Sequence, residues 1–87
     1  MAEQLIGEVT HYYSRIGVAG IVLSGPLRVG DRIHVQGHAT DIVESVDSME
    51  LDHASIEAGG AGDDVAVKLS DRARVGDKVF LVTEETG

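Results

Sequence analysis

The chain has 87 residues, enough for one domain that buries roughly 60% of the surface its unfolded form exposes, and too few for a second core. Fifteen acidic against seven basic residues give a net charge of −8, which repels phosphate backbones and argues against bulk nucleic-acid binding. The absence of cysteine excludes disulfides, thiolate metal sites and a cysteine nucleophile.

The opening stretch MAEQLIGEV lacks both the basic flank and the apolar run of a signal peptide, and the longest apolar run, GVAGIVL, is far too short to cross a bilayer. A cytoplasmic protein without membrane contact is expected. Short Val/Ile runs broken by Gly, Asp and Ser recur along the chain, and no stretch keeps a helical apolar period. Strands are predicted at about 4–13, 17–24, 31–37, 39–51, 64–70 and 77–83. In the first, Tyr12 and Tyr13 must face opposite sides, while Ile6 and Val9 disagree in parity across Gly7. Pro26, the only proline, falls between strands in SGPL, where its missing N–H harms no ladder. Ile33 and Val35 alternate with Arg32, His34 and Gln36, as in a strand with one buried face. The stretch 39–51 changes phase, because Ile42 and Val46 share a parity that Met49 and Leu51 do not. A bulge near Asp47-Ser48 restores the buried face and bends the strand, as closing a small barrel requires. Val65, Val67 and Leu69 repeat the alternation. The expected fold is all-β, a single domain over residues 1–87 forming a six-stranded closed antiparallel barrel. Its expected interior holds Val9, Ile33, Val35, Ile42, Val46, Val65, Val67, Leu69 and Val79.

One phrase occurs twice, as RVGDRIHV from Arg28 and RVGDKVFLV from Arg74. Glycine can take the positive φ of a tight turn, and the aspartate side chain can accept a nearby backbone N–H before the next strand begins. Gly30-Asp31 and Gly76-Asp77 therefore read as turn motifs, and Gly62-Asp63 is a third copy of the same chemistry.

Taken in order, the G-x-V opening strand, the apolar second strand, the L-R-x-G-D turn and the late G-D-D-V-A-V-K strand cover residues 6–83. This order resembles the β-barrel second domain of translation GTPases such as elongation factor Tu, and in particular free-standing elongation-factor-like copies of it. The resemblance implies a contact surface for the acceptor end of tRNA, the ribosome or neighbouring domains. It does not imply GTP binding: the only lysines, Lys68 and Lys78, do not follow a glycine, so no loop here can cradle phosphates, and no nucleotide or other cofactor is expected. Similar barrels also stand at the end of collagenase-like peptidases that act in RNA or cofactor modification.

Other constellations carry less chemistry. His34 and His38 have an H-x-x-x-H spacing, but on an extended segment they stand roughly 13 Å apart, too far to share one zinc. No metal site is expected, and no G-x-S-x-G or other catalytic set is present. The stretch ELDHASIEAGGAG resembles the hairpin of biotinyl and lipoyl carrier domains, yet His53 stands where the modified lysine would be and cannot form that amide. An outward tyrosine, Tyr12 or Tyr13, beside Arg15 can stack a base or hold a peptide. Any contact with tRNA or rRNA is expected to be weak and to rest on Arg15, Arg28, Arg32 and Arg74. Arg28 and Arg74 form one basic patch if their two turns lie at the same end of the barrel. The main expectation is a non-enzymatic binding module that docks on a protein or ribonucleoprotein partner. The alternative is a detached accessory β-barrel domain of a collagenase-like peptidase or an RNA- or cofactor-modifying enzyme.

Overall fold

Period-two alternation of Val and Ile, punctuated by Gly-Asp, gives an all-β chain in the computed structural model, which describes residues 2–83. The strands are β1 (Ala2–Tyr13), β2 (Val18–Leu23), β3 (Leu27–Arg28), β4 (Arg32–Gly37), β5 (Thr40–Ser45), β6 (Met49–Leu51), β7 (Ala54–Ile56), β8 (Ala58–Gly59), β9 (Asp64–Lys68) and β10 (Lys78–Thr83). Eight of them form one sheet in the order β5-β4-β10-β1-β2-β9-β6-β7, and β3 pairs with β8 in a second, two-stranded sheet. Every pairing is antiparallel. The six expected strands are present, but 39–51 is divided into β5 and β6, and the short β3, β7 and β8 are additions. No ladder joins the outer strands β5 and β7, so the sheet's hydrogen bonding by itself is that of an open array.

Two irregularities set the core face of β1. The register shifts between Leu5 and Gly7 against β10, and between Val9 and His11 against β2. Each bulge moves the alternation by one residue, so Ile6 and Val9 are both fully buried and Tyr12 packs against the same core. The interruption at 46–48 does the same for the fourth stretch, where Ile42, Val46 and Met49 are all buried despite their parities. All nine residues expected inside are buried. Ile6, Ile21, Leu23, Leu27, Met49, Ala73 and Val82 join them.

The repeated phrase proves to be a repeated clamp. Gly30, Gly62 and Gly76 have φ of 97°, 92° and 95°, the third-position geometry of a type II turn. In each turn the aspartate carboxylate accepts the N–H of the residue three positions earlier: Arg28 N–H to Asp31 at 2.9 Å, Gly60 N–H to Asp63 at 2.9 Å, Arg74 N–H to Asp77 at 2.8 Å. The turn then grips one residue on a neighbouring stretch by two backbone hydrogen bonds. Gly30 N–H donates to Val46 O while Val46 N–H donates to Asp31 O; Gly62 and Asp63 hold Leu23 in the same way, and Gly76 and Asp77 hold Val9, all six bonds at 2.8 Å. Val46, Leu23 and Val9 are each buried, so every clamp fixes a core side chain through its backbone.

The third clamp is the most enclosed, because Asp77 is only 5% exposed. Its carboxylate occupies the space beside Gly37, where an added Cβ would lie 1.8 Å from Asp77 Oδ1. Any side chain at 37 must displace the group that closes the turn. Asp77→Ala is therefore expected to cost about 2 kcal/mol, against about 1 kcal/mol for the more exposed Asp31→Ala, and Gly37→Ala about 2 kcal/mol through the displaced carboxylate. Urea unfolding of the three variants checks this order; an unchanged midpoint for Gly37→Ala would refute the packing account.

Candidate functional site

Strands β1, β2, β9 and β6 turn their small and polar residues outward. In register across them stand His11, Gly20, Ala66 and Glu50, followed by a second row of Tyr13, Val18 and Lys68. Gly20 and Ala66 keep the middle of this face low, and an added Cβ at Gly20 would already touch His11 Cβ at 3.4 Å. The result is an open trough of about 700 Å³. One wall is the ring pair His11 and Tyr13, two residues apart on one face of β1, with centroids 6.1 Å apart and planes inclined by 9°. The other wall is the β6–β7 hairpin, which contributes Glu50, Asp52 and His53, and Asp64 joins the rim from β9.

That hairpin has a two-residue turn, since Leu51 pairs with Ala54. Both turn residues lie in the left-handed region, Asp52 at φ 51° and His53 at φ 65°. A turn of this kind favours Asn or Asp followed by Gly, so Asp52 fits its position and His53, held where glycine is usual, costs about 1 kcal/mol.

A second polar station lies on the outer face of β4. His34 stands in a cross-strand row with Val43, Phe80 and Leu5, and its side chain is 13% exposed. Its Nδ1 lies 2.8 Å from Glu3 Oε1 and its Nε2 2.5 Å from Asp41 Oδ1. Ionised carboxylates only accept, so this arrangement favours the doubly protonated imidazole, in which both ring nitrogens donate. The hydrogen bond to Glu3, then that to Asp41, raises its pKa above the ordinary 6.5, with burial opposing.

The residues expected to bind are dispersed. Tyr12 faces the core, whereas Tyr13, 51% exposed, stands in the trough. Arg15 is exposed in the turn between β1 and β2. Arg28 and Arg74 do not share a patch: β4 and β10 run antiparallel, Arg32 opposite Val82 and Gln36 opposite Lys78, so the turns before these strands lie at opposite ends of the ladder. Arg32, at the start of β4, lies near the Arg28 turn. Lys78, at the other end, pairs with Glu8. The turn residues Gly30, Asp31, Gly62, Asp63, Gly76 and Asp77 act in the clamps. No group of three or more His, Asp and Glu suited to a metal ion occurs among the described residues. The trough itself was not anticipated from the sequence. Its signals were two small residues at outward strand positions, Gly20 and Ala66, and a non-glycine pair, Asp52-His53, at a tight turn.

No family model matches the chain. Its sequence is 40% identical over 80 residues to an uncharacterized protease of Methanocaldococcus jannaschii, covering 91% of this chain and 20% of that protein. It is 29% identical over 77 residues to a collagenase of Porphyromonas gingivalis, covering 86% of this chain and 21% of that one. The chain thus spans about a fifth of the length of these curated relatives. Among solved structures, it superposes on the C-terminal domain of a candidate U32 peptidase of Geobacillus thermoleovorans with a TM-score of 0.86, at 14% identity, covering 92% of this chain and 93% of that one. The selenomethionine variant of that domain gives 0.83 at 15% identity, covering 87% and 96%. At such identity the likeness establishes the fold.

These relatives overturn the resemblance to elongation factor Tu and to free-standing elongation-factor-like barrels. The chain is similar to part of collagenase-like and U32 peptidases, not to a translation factor's second domain. The physical reason is visible in the clamps. The G-D motifs that carried the resemblance are spent on turn geometry, so they report a way of building strands and not a lineage.

The His34 station generates a pH prediction. The folded ring holds its proton more tightly than the unfolded chain does, so its stabilisation is complete below about 6.5 and fades as the pH rises through the higher folded value. The thermal midpoint of the native chain, relative to His34→Gln, is expected to be higher at mildly acidic than at alkaline pH. A difference independent of pH would refute the doubly protonated assignment.

Proposed function

We propose that the chain is a non-catalytic accessory β domain of a U32 peptidase-type protein, one that binds for an enzyme rather than performing its chemistry. The observation that carries this reading is the 40% identity to the archaeal protease over 80 residues, within a match that takes up only 20% of that protein. A fold shared with the C-terminal domain of a candidate U32 peptidase supports it. In this reading the chain serves a catalytic domain, and needs no cofactor or nucleotide of its own. The test is to purify the tagged chain from its native host at low salt and assay it for gelatin cleavage. A U32-type polypeptide is expected in stoichiometric amount, with no cleavage by the chain alone. A chain that elutes without such a partner, or one that cleaves gelatin unaided, would end the proposal.

We further infer that the six main strands close into a barrel. Supporting this, β5 and β6 are successive halves of one bent stretch, β5 lying on β4 and β6 on β9, and Val46 at the bend is buried and clamped by Asp31. The bend then joins the two sides of the sheet by covalent continuity. Amide exchange checks the bend that would close it: Val46 is expected to be protected as strongly as Val9, and rapid exchange at Val46 would mean that the Asp31 clamp does not hold the two sides of the sheet together.

A further inference from the structure

The trough has a strained lip. Asp52 and His53 both sit at positive φ in a two-residue turn; Asp suits the first position, whereas His53 stands where glycine would adopt the same geometry without strain. Such strain persists where the side chains themselves are needed. These two side chains line the trough, facing the stacked His11 and Tyr13 across the low floor of Gly20 and Ala66.

Charge selects the occupant. Three carboxylates, Glu50, Asp52 and Asp64, border the trough against one ammonium, Lys68, on a chain of net charge −8. A phosphate backbone laid there meets like charge, whereas a cation meets opposite charge. The carboxylates stand together at the hairpin end, since Ala66, which pairs with Glu50, lies two residues after Asp64, and the planar donor fork of a guanidinium serves several carboxylate oxygens at once where a compact ammonium does not. The volume of about 700 Å³ accommodates several residues of extended chain.

We propose that the trough between the β1–β2 ladder and the β6–β7 hairpin is a docking site for an extended polypeptide segment bearing an arginine. The guanidinium lies at the hairpin end of the trough beside Glu50, Asp52 and Asp64, and the rest of the segment crosses Ala66 and Gly20 towards His11 and Tyr13. This site is independent of the peptidase-accessory reading, because it requires only a basic segment and not a particular enzyme.

The experiment is a titration of the isotope-labelled 87-residue chain, followed by amide chemical shifts, with acetyl-Gly-Ala-Arg-Ala-Gly-amide at low ionic strength. Saturable shifts are expected at His11, Gly20, Glu50 and Ala66. The citrulline counterpart, equal in shape but uncharged, should bind about tenfold more weakly or worse, as loss of a charge-assisted hydrogen bond implies. Glu50→Gln, an exposed change with little effect on folding, should weaken the arginine peptide and leave the citrulline peptide unaffected. The paired change Asp52→Asn, His53→Gly should raise the unfolding midpoint while weakening the arginine peptide, the opposite signs expected when a strained turn serves binding. Equal binding of both peptides, no saturable shift at the trough, or preferential shifts of these amides by an oligouridylate would each overturn the proposal. The last outcome would make the trough a nucleic-acid surface.

Discussion

The reciprocal pair of backbone hydrogen bonds between a Gly-Asp turn and one residue of a neighbouring stretch is the constraint on which this structure depends. It occurs three times, at Val46, Leu23 and Val9, and each time the gripped residue carries its side chain into the core. A small all-β domain with three aromatic residues has little bulk with which to specify its packing. The clamps supply specification through the backbone. They fix where a strand begins, which residue of its neighbour it meets, and therefore which face of that neighbour turns inward.

Much of this was legible from local chemistry. Glycine followed by aspartate before a β-branched run named the turns, and period-two alternation named the most regular strands, β4 and β9, with their buried residues. The phase change across 39–51 located the break at 46–48. What the sequence could not give were pairings between distant residues. The order of β4 and β10, which separates Arg28 from Arg74, follows from which strands lie side by side, and no local pattern encodes it. The bulges of β1 likewise depend on two different partner strands, so Ile6 and Val9 looked inconsistent until both ladders were known. The lineage was misread for a related reason: short turn motifs recur wherever the same geometry must be built.

The two outer faces use their histidines differently. His34 is enclosed by two carboxylates and joins β1 to the β4–β5 hairpin, so its chemistry is consumed in holding strands together. His11 and His53 lie on facing walls of the trough, exposed, with a tyrosine and several carboxylates for company. These three histidines thus divide into a structural brace and a surface open to solution, while His38 is exposed in the turn between β4 and β5, a division that follows from the neighbours each strand brings and not from the residue type.

The position of β10 between β4 and β1 bears on how the chain is made. As a polypeptide emerges in order, β1 and β4 are both synthesised well before the strand that separates them, and each waits with an unpaired edge. Such edges invite association with other nascent chains. The outward residues along them include Glu3, Glu8, Arg32 and Gln36, and the whole chain carries a strong negative charge. A net charge of −8 sets copies of the chain against one another while the last ladder is still missing.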